Sequence, residues 1–579
     1  MQSLEQNIQD LAVELLGDNF KFRPHQLEAV KSIVENVMSD TKHTVLEAPT
    51  GSGKSIIGML AAYALHKLFN KSSYILVSDL SLYDQYENDI IKTGSNAFGC
   101  IKGKENYICW MNGCKASQSL CSLHNMSPIK LMSGARGAWQ FPCKDKCKYM
   151  QDYVKAVVSP ITLMTYQMYF IQRNYVEDIL FGGHNTNFPA RDLVICDECH
   201  KICDICQSHF APRISIERPI WMNILCKYMH MAYDEHDRST LVDAMLSCSN
   251  NDELVDYVAS YASLTSKYAE ANECIRSTLS KKRNLSKQDK AALFAGNIAR
   301  QEQCKFTDML NFIASFGSTE YVAKTVSKED ITLNFVFDNV MLDKYMHNKS
   351  KCELLMSATV GDFDEYAKLA GLDVSSFKHI AIPSTFDFSK SPVILSTKNR
   401  MSYAEKDVSI KSIAEQVTNI CHANAHMRGI IQTGSYANSD ALKLLLPDDV
   451  LSRCLFYKGT GEKNYMLEEF LDLEEDDNRI LVGPTLIEGL NFPDSMCRFQ
   501  ICIKVPYAFL GSEYVCKKMK YVNGWYEYDV LNKICQGIGR GVRHEKDWCE
   551  TYILDGCIMN LARRLNSIST LHGRLRKIV

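Results

Sequence analysis

The octapeptide Ala48-Pro49-Thr50-Gly51-Ser52-Gly53-Lys54-Ser55 sits between the apolar run His43-Thr44-Val45-Leu46-Glu47 and a helix-patterned stretch over 54–69. A glycine loop joining a short buried strand to a helix confines the chain to α/β architectures, where such a corner lies at the carboxyl edge of a parallel sheet. The residue types give the corner a chemistry. The N–H groups of Gly51, Ser52 and Gly53 can wrap phosphates, and the helix N-terminus adds a favourable dipole. Pro49 and Thr50 complete the loop, Lys54 reaches the β- and γ-phosphates of ATP, and Ser55 holds Mg²⁺. A merely structural glycine turn does not need Lys-Ser at the helix start. Ala48 stands where the strict pattern has its first glycine.

Further buried runs follow at Ser73–Ser78, Ile161–Thr165 and Asp192–Cys196, alternating with helical stretches, which predicts a parallel sheet covered on both faces. Asp197-Glu198 ends the last of these runs. Carboxylates there point into the ligand crevice, so Asp197 suits Mg²⁺ and Glu198 suits the attacking water. Residues 210–345 hold almost no glycine or proline and read as long amphipathic helices, as around Ala291–Phe316. The sheet resumes at Glu353–Ser357, and Ile380–Pro392 reads as a linker. Strands near 393–396, 428–432, 453–457, 479–483, 498–504 and 551–555 then predict a second α/β domain. With 579 residues, 46% hydrophobic and 23% charged, the chain is ordinary for a globular protein and long enough for about three or four domains.

The cysteines pose a separate question. Cys109, Cys114, Cys121, Cys143 and Cys147 lie between the glycine loop and Asp197. Cys196, Cys199, Cys203 and Cys206 surround Asp197-Glu198 and imitate two metal-binding pairs. Zinc ribbons space such pairs by roughly 15–20 residues, whereas three intervene here, and Cys196 belongs to a strand that must be buried. This second group reads as thiols of the core. Twenty-three cysteines, with no basic-then-apolar leader at Met1–Gln6, point to a reducing compartment, and no apolar run of 18 residues predicts a membrane span.

In the second half, Ser357-Ala358-Thr359 ends a strand; alone, that triplet carries no information. Thr485 and Glu488-Gly489-Leu490-Asn491-Phe492 follow the run Ile480–Val482. Gln536-Gly537-Ile538-Gly539-Arg540-Gly541-Val542-Arg543 is expected on a helix. Arg540 and Arg543 then share one face and can reach across a cleft to the γ-phosphate as arginine fingers.

These residues, in this order, resemble the superfamily 2 helicases of the XPD/DinG-like kind over most of the chain. Ala48–Ser55 is similar to the family's first motif, Asp197–His200 to its Asp-Glu-x-His box, Ser357–Thr359 to the third motif, Glu488–Asn491 to the fifth, and Gln536–Arg543 to the sixth. Asn491 stands where aspartate is common. Arg23 and Gln26 resemble an upstream segment placed near the adenine, and Thr165-Tyr166 resembles a DNA-contact position. Gly103–Cys109 is similar to the lead-in of an iron–sulfur domain, and Cys147-Lys148-Tyr149 to its close, with lysine replacing proline. A 4Fe–4S cluster takes four thiolates. The resemblance assigns Cys109, Cys114, Cys121 and Cys147, with Cys143 able to displace Cys114, and zinc stays open as the alternative metal.

The resemblance implies two RecA-like parallel-sheet domains with an inserted cluster domain and an inserted helical arch. The expected map is 1–100, 151–210 and 346–385 for the first RecA-like domain, 101–150 for the cluster domain, 211–345 for the arch and 386–579 for the second. It further implies 5′ to 3′ movement on single-stranded DNA with unwinding at duplex junctions by a monomeric, cytoplasmic motor. No amino-terminal nuclease is expected, and the compactness is similar to phage-encoded members, in which case the compartment is the host cytoplasm.

Lys102, Lys104, Lys115, Lys130, Arg136, Lys144, Lys146, Lys148 and Lys155 outnumber Glu105, Asp145 and Asp152 in a chain of net charge −3. Tyr107, Trp110, Trp139, Phe141 and Tyr149 interleave them. Such a patch can track phosphates and stack bases. Two rival readings remain: a zinc-stabilised duplex translocase or RNA-directed motor, and a non-catalytic redox-sensing DNA-binding module.

Overall fold

The computed structural model describes residues 3–49, 51–111, 113–119, 146–176, 188–232, 235–279, 282, 286–384, 388–474, 476–484, 492, 494–539, 547–561, 564 and 574–578. The first sheet is wholly parallel. Its strands are β1 (His43–Glu47), β2 (Ser73–Val77), β3 (Phe98–Cys100), β4 (Ile161–Thr165), β5 (Leu193–Asp197), β9 (Cys352–Ser357) and β10 (Lys378–Ala381), in the order β10-β1-β9-β5-β2-β4-β3. Every residue of β1, β2, β4, β5 and β9 is buried. The period-2 pleat divides their side chains between two cores. Leu46, Ile75, Ile195 and Met356 pack against the helices Leu4–Leu16, Gln26–Met38 and Lys54–Phe69, while Val45, Leu76, Val194 and Leu355 face the other way. β10 pairs with β1 along the sheet edge, so the expected linker at 380 begins as sheet. Its exposed Lys378 and His379 hide that strand from an apolar-run reading.

The second sheet is also parallel, ordered β13-β14-β12-β15-β16-β11-β17. It comprises β11 (Val393–Asn399), β12 (Gly429–Gln432), β13 (Cys454–Phe456), β14 (Ile480–Gly483), β15 (Phe499–Cys502), β16 (Glu550–Asp555) and β17 (Leu575–Ile578). Ile431, Val482 and Ile501 fill one face, and Ile430 and Leu481 the other.

Between β5 and β9 the chain leaves the first sheet. The helices Ile220–Met229, Glu235–Ser247, Asn251–Leu279 and Lys287–Phe316 form an arch whose buried side chains are continuous with one face of that sheet. The two longest lie close together: a Cβ at Gly296 would come within 2.5 Å of Asn272 Oδ1. Ser286 and Asp289 close a capping box at the start of the last helix. Expected as helices alone, the insert also contains an antiparallel sheet of β6 (Arg213–Ser215), β7 (Val322–Val326) and β8 (Asp330–Phe335), ordered β6-β8-β7. Among the described residues, no helix is long and apolar enough to cross a membrane.

Candidate active site

β1 delivers the chain into the glycine loop, and the loop opens the helix Lys54–Phe69. Gly51 and Gly53 have φ of 84° and 78°, a region costly for residues with a Cβ. Ser52 N–H donates to Pro49 O (3.0 Å), and the Ala48 N–H ties the loop to Ser357 O (2.9 Å). Two upstream residues clasp it: Arg23 Nη1 donates to Gly51 O, and Gln26 Nε2 donates to Ser52 O at 2.7 Å. Both side chains, expected near the adenine, are engaged with carbonyls of the phosphate loop. Thr50 lies outside the described residues.

Lys54 is the centre of the site. Its ammonium lies 2.8 Å from Asp197 Oδ1 and 2.6 Å from Glu198 Oε1. Burial works against that charge, but the Asp197 and Glu198 carboxylates outweigh it and raise the Lys54 pKa above the ordinary lysine value. Burial also opposes ionisation of Glu198, yet Lys54 and His200 hold its pKa down at about 2. Asp197 is completely buried, and desolvation moves its pKa upward against the pull of Lys54. Glu198 has φ +55°, an uncommon conformation for a residue with a long side chain, and it turns the chain sharply out of β5. His200 Nδ1 lies 3.3 Å from Glu198 Oε2 and 2.8 Å from Ser357 Oγ, which joins the Asp-Glu segment to the Ser-Ala-Thr segment. From β1, Glu47 Oε2 accepts the N–H groups of Val360 and Gly361 (2.7 and 2.8 Å).

Two tyrosines belong to this site: Tyr86, which no motif announces, and Tyr166, expected at DNA instead. Tyr86 Oη donates to Asp197 Oδ2 (2.8 Å) and also contacts Ser55. Tyr166 Oη donates to Asp197 O at 2.9 Å and is fully buried, so it braces the carboxylate strand rather than offering a surface to DNA. A buried tyrosine requires a partner for its hydroxyl, but the partner is visible only in three dimensions.

Beside the carboxylates opens an interdomain cleft lined by His200, Lys201, Asp338 and Tyr366 of the first half and Trp525, Tyr528, Lys533 and Gln536 of the second. Gln536 rides on the helix Trp525–Ile538. Arg540 and Arg543 follow it outside the described residues, as do Thr485 and Glu488–Asn491.

In the cysteine insert, Cys109 and Cys147 are buried and Cys114 is half-buried. The Cys109 N–H donates to Cys114 O (2.7 Å), folding that loop back on itself. Cys121 and Cys143 lie outside the described residues. The basic patch is largely spoken for where it is described. Lys102 pairs with Asp84 and Glu87, Lys148 with Asp152, and Lys115 lies 3.7 Å from Glu105. Tyr107 and Tyr149 are core residues packed edge to face, not stacking platforms, while Trp110 is exposed with Lys146 4.4 Å from its ring. Around Asp197, burial pushes the Cys199 thiol up to about 12 and those of Cys196, Cys203 and Cys206 upward as well. They are neutral thiols at ordinary pH.

Two RecA-like sheets facing each other across a cleft, with a phosphate loop and an Asp-Glu pair on one side, define the class of two-domain phosphate-loop proteins. Residues 19–225 match the family described as type III restriction enzyme, res subunit, and residues 417–569 match the helicase C-terminal domain. The ATP-dependent DNA helicase YoaA of Haemophilus influenzae is 24% identical over 288 residues, which is 42% of this chain and 42% of that protein. A probable ATP-dependent helicase of Methanocaldococcus jannaschii is 26% identical over 233 residues, 37% of this chain and 33% of that one. The chain thus spans less than half the length of these two curated relatives. An XPD helicase structure superposes with a TM-score of 0.60 at 16% identity, covering 96% of this chain and all of the other. S. tokodaii Xpd4 gives 0.56 at 13%, with 96% and 100% covered. The chain is thus similar to superfamily 2 helicases in its two matched regions and shares the fold of the XPD structures.

Proposed function

We propose that this protein is an ATP-dependent DNA helicase that moves 5′ to 3′ on single-stranded DNA and opens duplex junctions as a cytoplasmic monomer. The observation that carries the reading is the Lys54 ammonium clamped between Asp197 and Glu198 at the mouth of the glycine loop. A lysine in that position is counter-ion to two carboxylates until phosphate replaces them. Binding of ATP would draw Lys54 to the β- and γ-phosphate oxygens. Asp197 and Ser55, which share the Tyr86 hydroxyl, fit Mg²⁺ as an oxygen donor pair, and the ion held there would supply charge neutralisation for the transferring phosphoryl group. Glu198, relieved of Lys54, orients water and accepts its proton. Gln536 lines the cleft wall; in the role that the resemblance gives them, Arg540 and Arg543 would meet the γ-phosphate, and hydrolysis would drive closure and reopening of the cleft. Arg23 and Gln26 transmit nucleotide occupancy to the loop they clasp. The resemblance gives Glu488 a role at the same nucleotide.

Cys109, Cys114 and Cys147, with Cys121, supply the four thiolates that a 4Fe–4S cluster would take, and such a cluster would stiffen the insert. The same donors would suit zinc. Lys54→Ala should abolish ATP hydrolysis and unwinding of a 5′-tailed duplex while leaving the visible absorption of the anaerobically purified protein unchanged. Absence of ATP-dependent unwinding by the unaltered chain from a 5′ tail would overturn the helicase reading. A colourless protein carrying stoichiometric zinc would overturn the cluster alone.

A further inference from the structure

At the opposite end of β1 from the phosphate loop, three metal-competent side chains converge. His43 opens β1, Glu353 is its register partner on β9, and His347 lies in the turn His347–Lys349 that leads into β9. Four strand steps of about 3.3 Å put this cluster roughly 13 Å from the end of β1, so it is separate from the nucleotide site. One donor atom from each residue lies within 4.8 Å of the others, and all three residues are buried.

The hydrogen bonding is incomplete in a specific way. His347 Nε2 faces Ala370 O at 2.8 Å, and a carbonyl only accepts, so Nε2 carries the hydrogen. In the neutral ring Nδ1 then presents its lone pair to Glu353 Oε2, 2.7 Å away. A lone pair facing a carboxylate oxygen needs either a proton between them or a cation that both ligate. A proton would satisfy that pair and nothing else. His43 Nε2, buried and only 3.8 Å from the same oxygen, would still lack a hydrogen-bond partner among the described residues. A metal ion satisfies all three groups at once. The surroundings suit ligation. Ser350 Oγ donates to Glu353 Oε1, which leaves Oε2 for the centre, and Ala370 O fixes the His347 tautomer as outer partners of metal-bound imidazoles do. Of nearby charges, Lys42 is bound to the carbonyls of His347 and Ser350 and opposes a cation, while Asp373 acts on His43 in the opposite sense.

We propose that His43 Nε2, His347 Nδ1 and Glu353 Oε2 bind one divalent transition-metal ion of the zinc type. Two imidazoles and a carboxylate match that ion's preferences, and ligation at about 2.0–2.1 Å requires His347 Nδ1 and Glu353 Oε2 to part from 2.7 Å to roughly 3.3 Å. Buried between two strands and a turn, the ion would staple the base of the first sheet and take no part in ATP chemistry.

The test uses the full chain and zinc alone, and reads a difference, because the cysteine insert can bind zinc too. After zinc loading and removal of the excess, the unaltered protein should hold one more zinc per chain than His43→Gln, and only the unaltered protein should gain thermal stability from the lower-affinity equivalent. Cobalt in place of zinc should add a weak visible band, without thiolate-to-metal absorption, that His43→Gln lacks. Equal metal content in a His43→Gln protein with unaltered circular dichroism would overturn the proposal. Should that variant not fold, X-ray absorption at the zinc edge of the unaltered protein decides. Imidazole nitrogen in the shell supports the site; an all-sulfur shell removes it.

Discussion

A single phenolic hydroxyl joins the two groups expected to hold Mg²⁺. Tyr86 reaches Asp197 Oδ2 at 2.8 Å and touches Ser55, and its ring is fully buried beneath the loop. Asp197 has no exposure to water, so its ionised form depends on Lys54, on the Glu198 N–H (2.9 Å) and on this hydroxyl. A hydrogen bond to a charged group contributes about 1.5–3 kcal/mol. Tyr86→Phe keeps the ring and deletes the bond. It should lower thermal stability by an amount in that range and raise the Mg²⁺ concentration that half-saturates ATP hydrolysis, with the KM for ATP at saturating Mg²⁺ changed much less. A Mg²⁺ titration of hydrolysis separates the two effects. If half-saturation does not move, Tyr86 is packing only.

At the scale of elements, the arch helix Lys287–Phe316 carries a conflict. Glu302 and Lys305 lie one turn apart in partly buried positions, and each is displaced toward its neutral form. Burial pushes Glu302 up to about 7, and burial with Arg213 nearby brings Lys305 down to about 8. For Glu302 the folded pKa lies above the unfolded value of about 4.5, so the folded state binds more protons between pH 4.5 and 7 and loses stability as pH rises through that window. Glu302→Gln removes this dependence while keeping an oxygen for Trp221. It should stabilise the protein at pH 8, by roughly 1 kcal/mol once partial exposure is allowed for, and leave it unchanged at pH 4.5. Melting curves at the two pH values test this. Elements of this kind also mark how far the sequence could be read. β1, β4 and β9 are legible because burial on both faces leaves uninterrupted apolar runs, and the glycine loop is legible because its φ values exclude other residues. β10 and β7 are not, since an edge strand and a half-exposed hairpin keep polar residues that mimic loop and helix. Tyr86, the bracing role of Tyr166 and the His43–His347–Glu353 cluster were equally out of reach. Each works through a partner distant in sequence or on a neighbouring strand, and spacing encodes none of those pairings.

For the whole molecule, the question is what holds the two RecA-like domains together. The helix Glu513–Tyr521 of the second domain lies against the first domain and the arch sheet. From it, Lys518 reaches Asp338 Oδ2 at 2.5 Å, with Tyr514 Oη at 3.0 Å and the Trp525 ring 4.5 Å away, and both charged side chains are almost wholly buried. Burial disfavours the Lys518 ammonium, but Asp338 more than offsets this and raises its pKa. A second contact is of a different kind. Arg564 bridges Glu365 (2.7 Å) and Glu527 (2.6 Å) with its side chain 37% exposed. Breaking a buried pair strands a charge and costs about 3–5 kcal/mol, whereas a solvated bridge contributes about 0–1 kcal/mol. Lys518→Met should therefore loosen the interface, increase the radius of gyration in small-angle scattering and weaken ATP binding, because the next helix carries Gln536 into the cleft. Arg564→Ala should change none of these appreciably. Adding Asp338→Asn to Lys518→Met removes the stranded carboxylate and should restore most of the compactness, since the penalty lies in the unpaired charge rather than in the missing attraction. If the double variant is as expanded as the single one, packing of the Glu513–Tyr521 helix, and not the buried charge, sets the distance between the two domains.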